Sequence, residues 1–186
     1  MEAVLHEPLV TWALRAFLAL LFATAAVSKL QHIEEFYGVV RNFRLIPDGP
    51  SRVVAFVLPI VELAVAAGLM IAPLAVPAAA TGAALLAGFG VAIAINVIRG
   101  RTWIDCGCMR QGMKQQISWM MVLRNVVLTV LALGIVRLLP GTTVAAPLDL
   151  FVGLAAGAIA MMLYFSASLL GGIVATQTAT NTSKGR

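Results

Sequence analysis

This chain of 186 residues has little charge and very little cysteine or histidine, two of each. Only 11% of its residues are Asp, Glu, Lys or Arg, against about a quarter in a soluble domain, so that class is excluded. His6 and His32 stand apart from Cys106 and Cys108, which leaves too few ligands for a closed zinc site. No internal repeat or low-complexity tract stands out. The 13 basic residues outnumber the 8 acidic ones, for a formal net charge of +5, but they lie in connecting segments and form no compact basic face. That argues against nucleic acid as a partner and for topology control or attraction to the anionic headgroups of a lipid bilayer.

Apolar residues make up 61% of the chain, and its mean hydropathy is +0.97. Five stretches, at 9–28, 52–73, 76–98, 118–139 and 148–172, reach the ~20 residues that cross a ~30 Å hydrocarbon core. The expected fold is all-α: a polytopic transmembrane helix bundle of four to five spans with no room for a separate soluble domain. Residues 1–175 are read as one helical domain and the polar segment 176–186 as a disordered tail. Ala23 and Ala25 mimic a signal-peptide cleavage site, yet the leader MEAVLHEP is acidic and the apolar run too long, so the first stretch is read as a retained helix.

After the first span, QHIEEFYGVVRNFRLIPDGP sets Phe36, Val39, Val40 and Phe43 at helical spacing beside Glu34, Glu35, Arg41 and Arg44. Such an amphipathic piece lies in the membrane interface and does not cross it. APLAVP joins spans two and three as a tight apolar hairpin. Ala80, Ala84, Gly88, Ala92 and Asn96 recur every four residues in span three, and Gly153 with Gly157 makes a GxxxG pair in span five. Small residues at that spacing let helices approach closely, so both rows are expected to be packing faces.

With five spans, the N-terminus and the second and fourth connections share one side and hold one basic residue, Arg137. The other side collects Lys29, Arg41, Arg44, Arg52, Arg99, Arg101, Arg110, Lys114, Lys184 and Arg186. Basic flanks mark the cytoplasmic side. This bias puts the N-terminus outside and the cysteine segment and C-terminus in the cytoplasm of a bacterial inner membrane.

Both cysteines fall in WIDCGCMRQGM, residues 103–113. A disulfide needs Cα atoms about 4.4–6.8 Å apart, which cysteines separated by one residue reach only where the backbone bends, and Gly107 tolerates the bend. A Cys106–Cys108 bond is therefore strained, easily reduced and suited to exchange. Arg99, Arg101, Arg110 and Lys114 favour the attacking thiolate, while Asp105 opposes them and can relay a proton. Two alternatives stand beside this reading: the thiols are simply small buried hydrophobes, or Cys106, Cys108, Met109 and Met113 offer soft ligands to Cu(I).

Charges inside apolar spans are functional or paired by default. Glu62 lies near the middle of span two, and Arg124 and Arg15 sit about 9 Å in from opposite faces, within reach of it. The expected result is a three-charge cluster with Asn96 and Asn125 as hydrogen-bond partners. It either locks the bundle or forms a polar pocket beneath the thiols that binds a quinone head group or relays protons.

DCGCM, preceded by INVIRGR and followed by ISWMMVLRNVVL, resembles the MauE family of DoxX-like redox-associated membrane proteins. VSKLQHIEEFYGVVRNFRLIP and FVLPIVELAVAAGLMI resemble that family's first connection and second helix, so the likeness runs from about residue 9 to 139. Where the family commonly has Phe-Gly after the second cysteine, this chain has Met109-Arg110, which leaves the thiol pair intact. The resemblance implies a polytopic inner-membrane protein needed to mature methylamine dehydrogenase. The small subunit of that enzyme is rich in disulfides and carries a tryptophan-derived quinone. The implied partner is the thioredoxin-like protein MauD, with Cys106 and Cys108 the exchanging pair and Asp105 and Gly107 matching the motif. A periplasmic client conflicts with thiols on the cytoplasmic side. Either the protein exchanges electrons with a cytoplasmic thiol carrier, or the segment folds back into the bundle and is reached from the far side.

Three functions follow in order of preference. The first is a thiol:disulfide oxidoreductase component of client maturation. The second is a non-catalytic assembly factor that docks a thioredoxin-like partner or client, and the third a copper-handling protein.

Overall fold

A computed structural model of the chain describes residues 7–101, 117–141 and 146–184, and every described element is helical. Helix α1, Pro8–Gln31, starts on a proline whose missing N–H costs nothing at a helix's first position. α2, Ile33–Phe43, is short and amphipathic, with Phe36 buried, Glu34 and Glu35 in its first turn and Arg41 in its last. Those charges oppose the helix dipole at both ends. Arg44 stops it in the left-handed conformation (φ 48°), its N–H donating to the carbonyl of Arg41 at 3.1 Å. α3 spans Asp48–Met70, a 3₁₀ turn at Ala72–Leu74 forms the expected hairpin, and α4 runs Ala75–Ile98. α5 is Trp119–Leu138, followed by a 3₁₀ turn at Leu139–Gly141. α6, Pro147–Lys184, begins where the Asp149 carboxylate accepts the N–H of Ala146 at 2.9 Å, and its backbone continues through most of the polar segment read as a tail.

Five of these helices, α1 and α3–α6, are long and apolar enough to cross a membrane, so the chain is a multi-pass membrane protein. Their outer faces are apolar, as lipid contact requires: Val53 and Ile60 on α3, Met120 and Val130 on α5, and Phe151 and Met162 on α6 are all exposed. α1 is the hub and packs chiefly against α6 and α3, while α4 packs on α5. Phe17, Leu18, Phe22, Leu69, Leu86 and Ile135 lie in the core between them.

Small residues decide these contacts, though not all the expected ones. A Cβ built on Gly157 would lie 2.5 Å from Ala16 Cβ, and one on Gly153 2.6 Å from Trp12 Cβ, so the GxxxG pair is the α1–α6 seam. The four-residue row of α4 is not a packing face: Ala80, Ala84 and Gly88 are exposed, and nothing lies within 4 Å of a Cβ on Gly88. Its buried face is Ala75, Ala79, Gly82, Leu86, Gly90 and Ile93. A strict repeat of four drifts by about 40° per step on a helix of 3.6 residues per turn. Over sixteen residues the row winds from one face of α4 nearly to the other.

Candidate functional site

Cys106, Cys108 and Asp105 lie in segment 102–116, outside the described residues, as do Met109 and Met113. What the fold defines is how the chain leaves and rejoins the bundle around them. α4 ends in a Schellman motif: Gly100, at φ 71°, donates to the carbonyl of Val97, and Arg101 donates to that of Asn96, both at 3.0 Å. Glycine is favoured there because a side chain costs energy at that φ. The chain returns at Ile117, 1% exposed, which packs with Ile93 and Met121 and against Phe43 and Val97. Ser118 then accepts, through its carbonyl, the N–H groups of Met121 and Val122 and opens α5. Of the described residues that flank the thiol segment, Ile117 thus packs beside the end of α2.

On that side of the bundle lies the buried ion pair. The Glu62 carboxylate, 2% exposed, accepts from Lys29 Nζ at 2.5 Å. α1 and α3 run antiparallel, and Cα–Cβ bonds tilt toward each helix's own N-terminus, so the two side chains lean toward each other. The ammonium also lies 5.0 Å from the ring centroid of Phe89 on α4 and 5.3 Å from that of Phe36 on α2. Both distances are in cation–π range. Pro59, buried one turn before Glu62, removes an N–H from the α3 ladder and weakens the helix beside the charge.

Asn96 is fully buried, and its Nδ2 donates to the carbonyl of Ala92 at 3.0 Å. Its Oδ1 has no hydrogen-bond partner among the described residues. Asn125 donates to Met121 O at 2.9 Å, and Gly90 gives it room, since a Cβ there would sit 3.3 Å from Asn125 Cβ. Arg124 is half-buried on α5, one residue earlier.

Arg15 does not join Glu62. Its Nε donates to the carbonyl of Leu69 at 2.7 Å and its guanidinium lies 3.8 Å from the Trp12 ring centroid. It sits about 21 Å along α1 from Lys29. There it satisfies one of the carbonyls that the end of α3 leaves without a helical partner. With Arg15 engaged elsewhere, Glu62 takes as a partner Lys29, a residue that the charge count places among the cations of the connecting segments. Which way each long side chain turns depends on its neighbours. In the sequence Lys29 follows a long apolar run closed by Ser28 and precedes Leu30, which is the signal that it belongs to the span.

A family model for Methylamine utilisation protein MauE matches residues 7–140, which include α1–α5 and the thiol segment. The chain belongs to the MauE family. It is 63% identical over 186 residues, the whole of both chains, to "Methylamine utilization protein MauE" of Paracoccus denitrificans, and equally so to that of Paracoccus versutus. To the protein of that name in Methylorubrum extorquens it is 51% identical over 183 residues, 98% of each chain. No solved structure matches it. The protein is therefore a methylamine-utilisation membrane protein, and its family model closes at residue 140, before α6.

Proposed function

We propose that the protein is a membrane thiol:disulfide component that supports disulfide formation in methylamine dehydrogenase or a similar periplasmic client. One observation carries the reading: the chain's sole cysteines, Cys106 and Cys108, flank a single glycine in the connection between α4 and α5 of a polytopic bundle of the MauE family. A client thiolate attacks one sulfur of the Cys106–Cys108 bond, forming a mixed disulfide and freeing the other cysteine as thiolate. A second client thiolate then displaces the bound cysteine. The client is left oxidised and the pair reduced, and Asp105 relays protons.

Reoxidation must remove two electrons and two protons. A lipid-soluble quinone accepts both, and the polar group that would receive its head is Glu62 with Asn96 and Arg124, joined by Lys29. Arg15 is left out of that group because its guanidinium is engaged at the far end of α3. A thioredoxin-like protein of the MauD kind is the proposed exchange partner, and the methylamine dehydrogenase small subunit the client.

The charge bias supports an inner-membrane orientation with the N-terminus outside and the thiol segment cytoplasmic. Burial of Lys29 in an ion pair removes one cation from that count and leaves its direction unchanged.

Cys106→Ser and Cys108→Ser should each abolish client maturation at unchanged protein levels, and one of them should accumulate a mixed disulfide on a non-reducing gel. Normal maturation in both variants would overturn the redox reading. The rival, a non-catalytic docking factor, is favoured by the Lys29–Glu62 pair and the Arg15 clamp, which tie the helices into one body. It predicts that a cysteine-free variant still co-purifies with its partner and still supports maturation. Labelling of intact cells with a membrane-impermeant thiol reagent tests sidedness: reaction from outside would reverse the proposed orientation.

A further inference from the structure

The end of α2 carries two cations that the thiol chemistry does not use. Arg41 and Arg44 are both exposed and neither forms an ion pair among the described residues, whereas nearby Arg52 reaches Glu34 at 3.8 Å and Tyr37 at 6.0 Å. Together with Asn42, Leu45, Ile46 and Pro47 they line a cleft of about 630 Å³. The chain turns through the left-handed conformation at Arg44 within this cleft, and both arginines line it. The acidic residues of α2, Glu34 and Glu35, are at its opposite end, and Asp48 is the one acid in the stretch 41–48, which keeps a net charge of +1. Two forked donors, an amide and net positive charge suit a phosphate group.

The cleft's surroundings say what carries that phosphate. α2 lies along the bundle with Phe36 buried and Val39, Val40 and Phe43 half-buried, while Arg41, Asn42 and Arg44 stay out, as for a helix lying at headgroup depth. The cleft's other residues, Leu45, Ile46 and Pro47, are apolar, with Leu45 exposed. α3 leaves directly from Pro47 and bears an exposed apolar column, Val53, Val57 and Ile60, at i, i+4 and i+7. A cationic cleft at the interface with an apolar helical face below it matches an amphiphile with a charged head and acyl chains.

We propose that the cleft is a specific site for an anionic phospholipid, its phosphate held by Arg41 and Arg44. Between these two residues Phe43 packs against Ile93, Ile117 and Met121, so the lipid seats the end of α2 on the point where the chain rejoins the bundle at α5. The site is independent of the thiol chemistry.

Native mass spectrometry of the full chain, released from nanodiscs of mixed phosphatidylcholine and phosphatidylglycerol, tests it. The wild type should retain phosphatidylglycerol in preference to phosphatidylcholine, and added salt should weaken the retention. At about five-fold per arginine near a membrane surface, Arg41→Gln with Arg44→Gln should weaken it by about 25-fold. Arg52→Gln should leave it unchanged. Equal retention of the two lipids by the wild type, or full retention of phosphatidylglycerol by the double variant, would overturn the proposal. Displacement of the lipid by inorganic phosphate at millimolar concentration would overturn the lipid as occupant and assign the cleft to free phosphate.

Discussion

Helix α1 buries two cations, Arg15 near one end and Lys29 near the other, and the bundle accommodates them in opposite ways. Arg15 spends its charge on backbone and ring, donating to Leu69 O and stacking on Trp12. A helix end supplies that carbonyl whatever the protein does, while the Arg15 Nη2 is buried with no hydrogen-bond partner among the described residues. Lys29 needs a second charge, and Glu62 supplies it. Replacing a buried pair by well-packed apolar residues is often neutral or stabilising. The comparison teaches that the Lys29–Glu62 end is where the bundle keeps a polarity its stability does not demand.

The strongest way to break that contrast is to remove one partner. Glu62→Ala leaves an ammonium buried without its counterion and should cost about 3–5 kcal/mol, read as loss of unfolding free energy in mild detergent. Lys29→Met combined with Glu62→Leu should recover most of it. If client maturation returned as well in that double variant, the pair would be as structural as Arg15. If stability returned without maturation, the carboxylate would have a further task.

At the other end, Gly157→Val should cost about 1–3 kcal/mol, because its Cβ would meet Ala13 O at 2.8 Å and Phe17 N at 2.9 Å, backbone atoms that cannot step aside. Arg15→Met should lose about 1–3 kcal/mol by leaving the Leu69 carbonyl buried and unpaired, with no effect on maturation beyond that of lowered stability. Trp12→Leu removes only the stacked ring and should cost about 1 kcal/mol. Gly88→Ala, on the exposed face of α4, is the reference, with a change within about 0.5 kcal/mol in either direction.

Most of the architecture was legible in the pattern of residues. Apolar runs of span length, the amphipathic stretch around Phe36 and the prolines of the APLAVP hairpin each express a local rule, and α1–α5 obey them to within a few residues. The GxxxG pair was also legible, because two glycines one turn apart stay on one face. The longer row on α4 was not, since precession carries Ala80 and Asn96 to different sides. Within the candidate site, Glu62 and Asn96 stood out as polar groups in apolar runs and both are buried. Lys29 did not, because a lysine at a helix end looks the same whether its side chain rises to the headgroups or turns inward.

By itself the sequence determined four to five spans, the amphipathic helix after the first and a CxC pair confined to one connection. Each depends on the length or period of a local run and on the bilayer's thickness. Only the tertiary structure decided which charges meet. Depth along one helix says nothing about which neighbour it faces. A buried ion pair forms where two antiparallel helices aim long side chains at the same point.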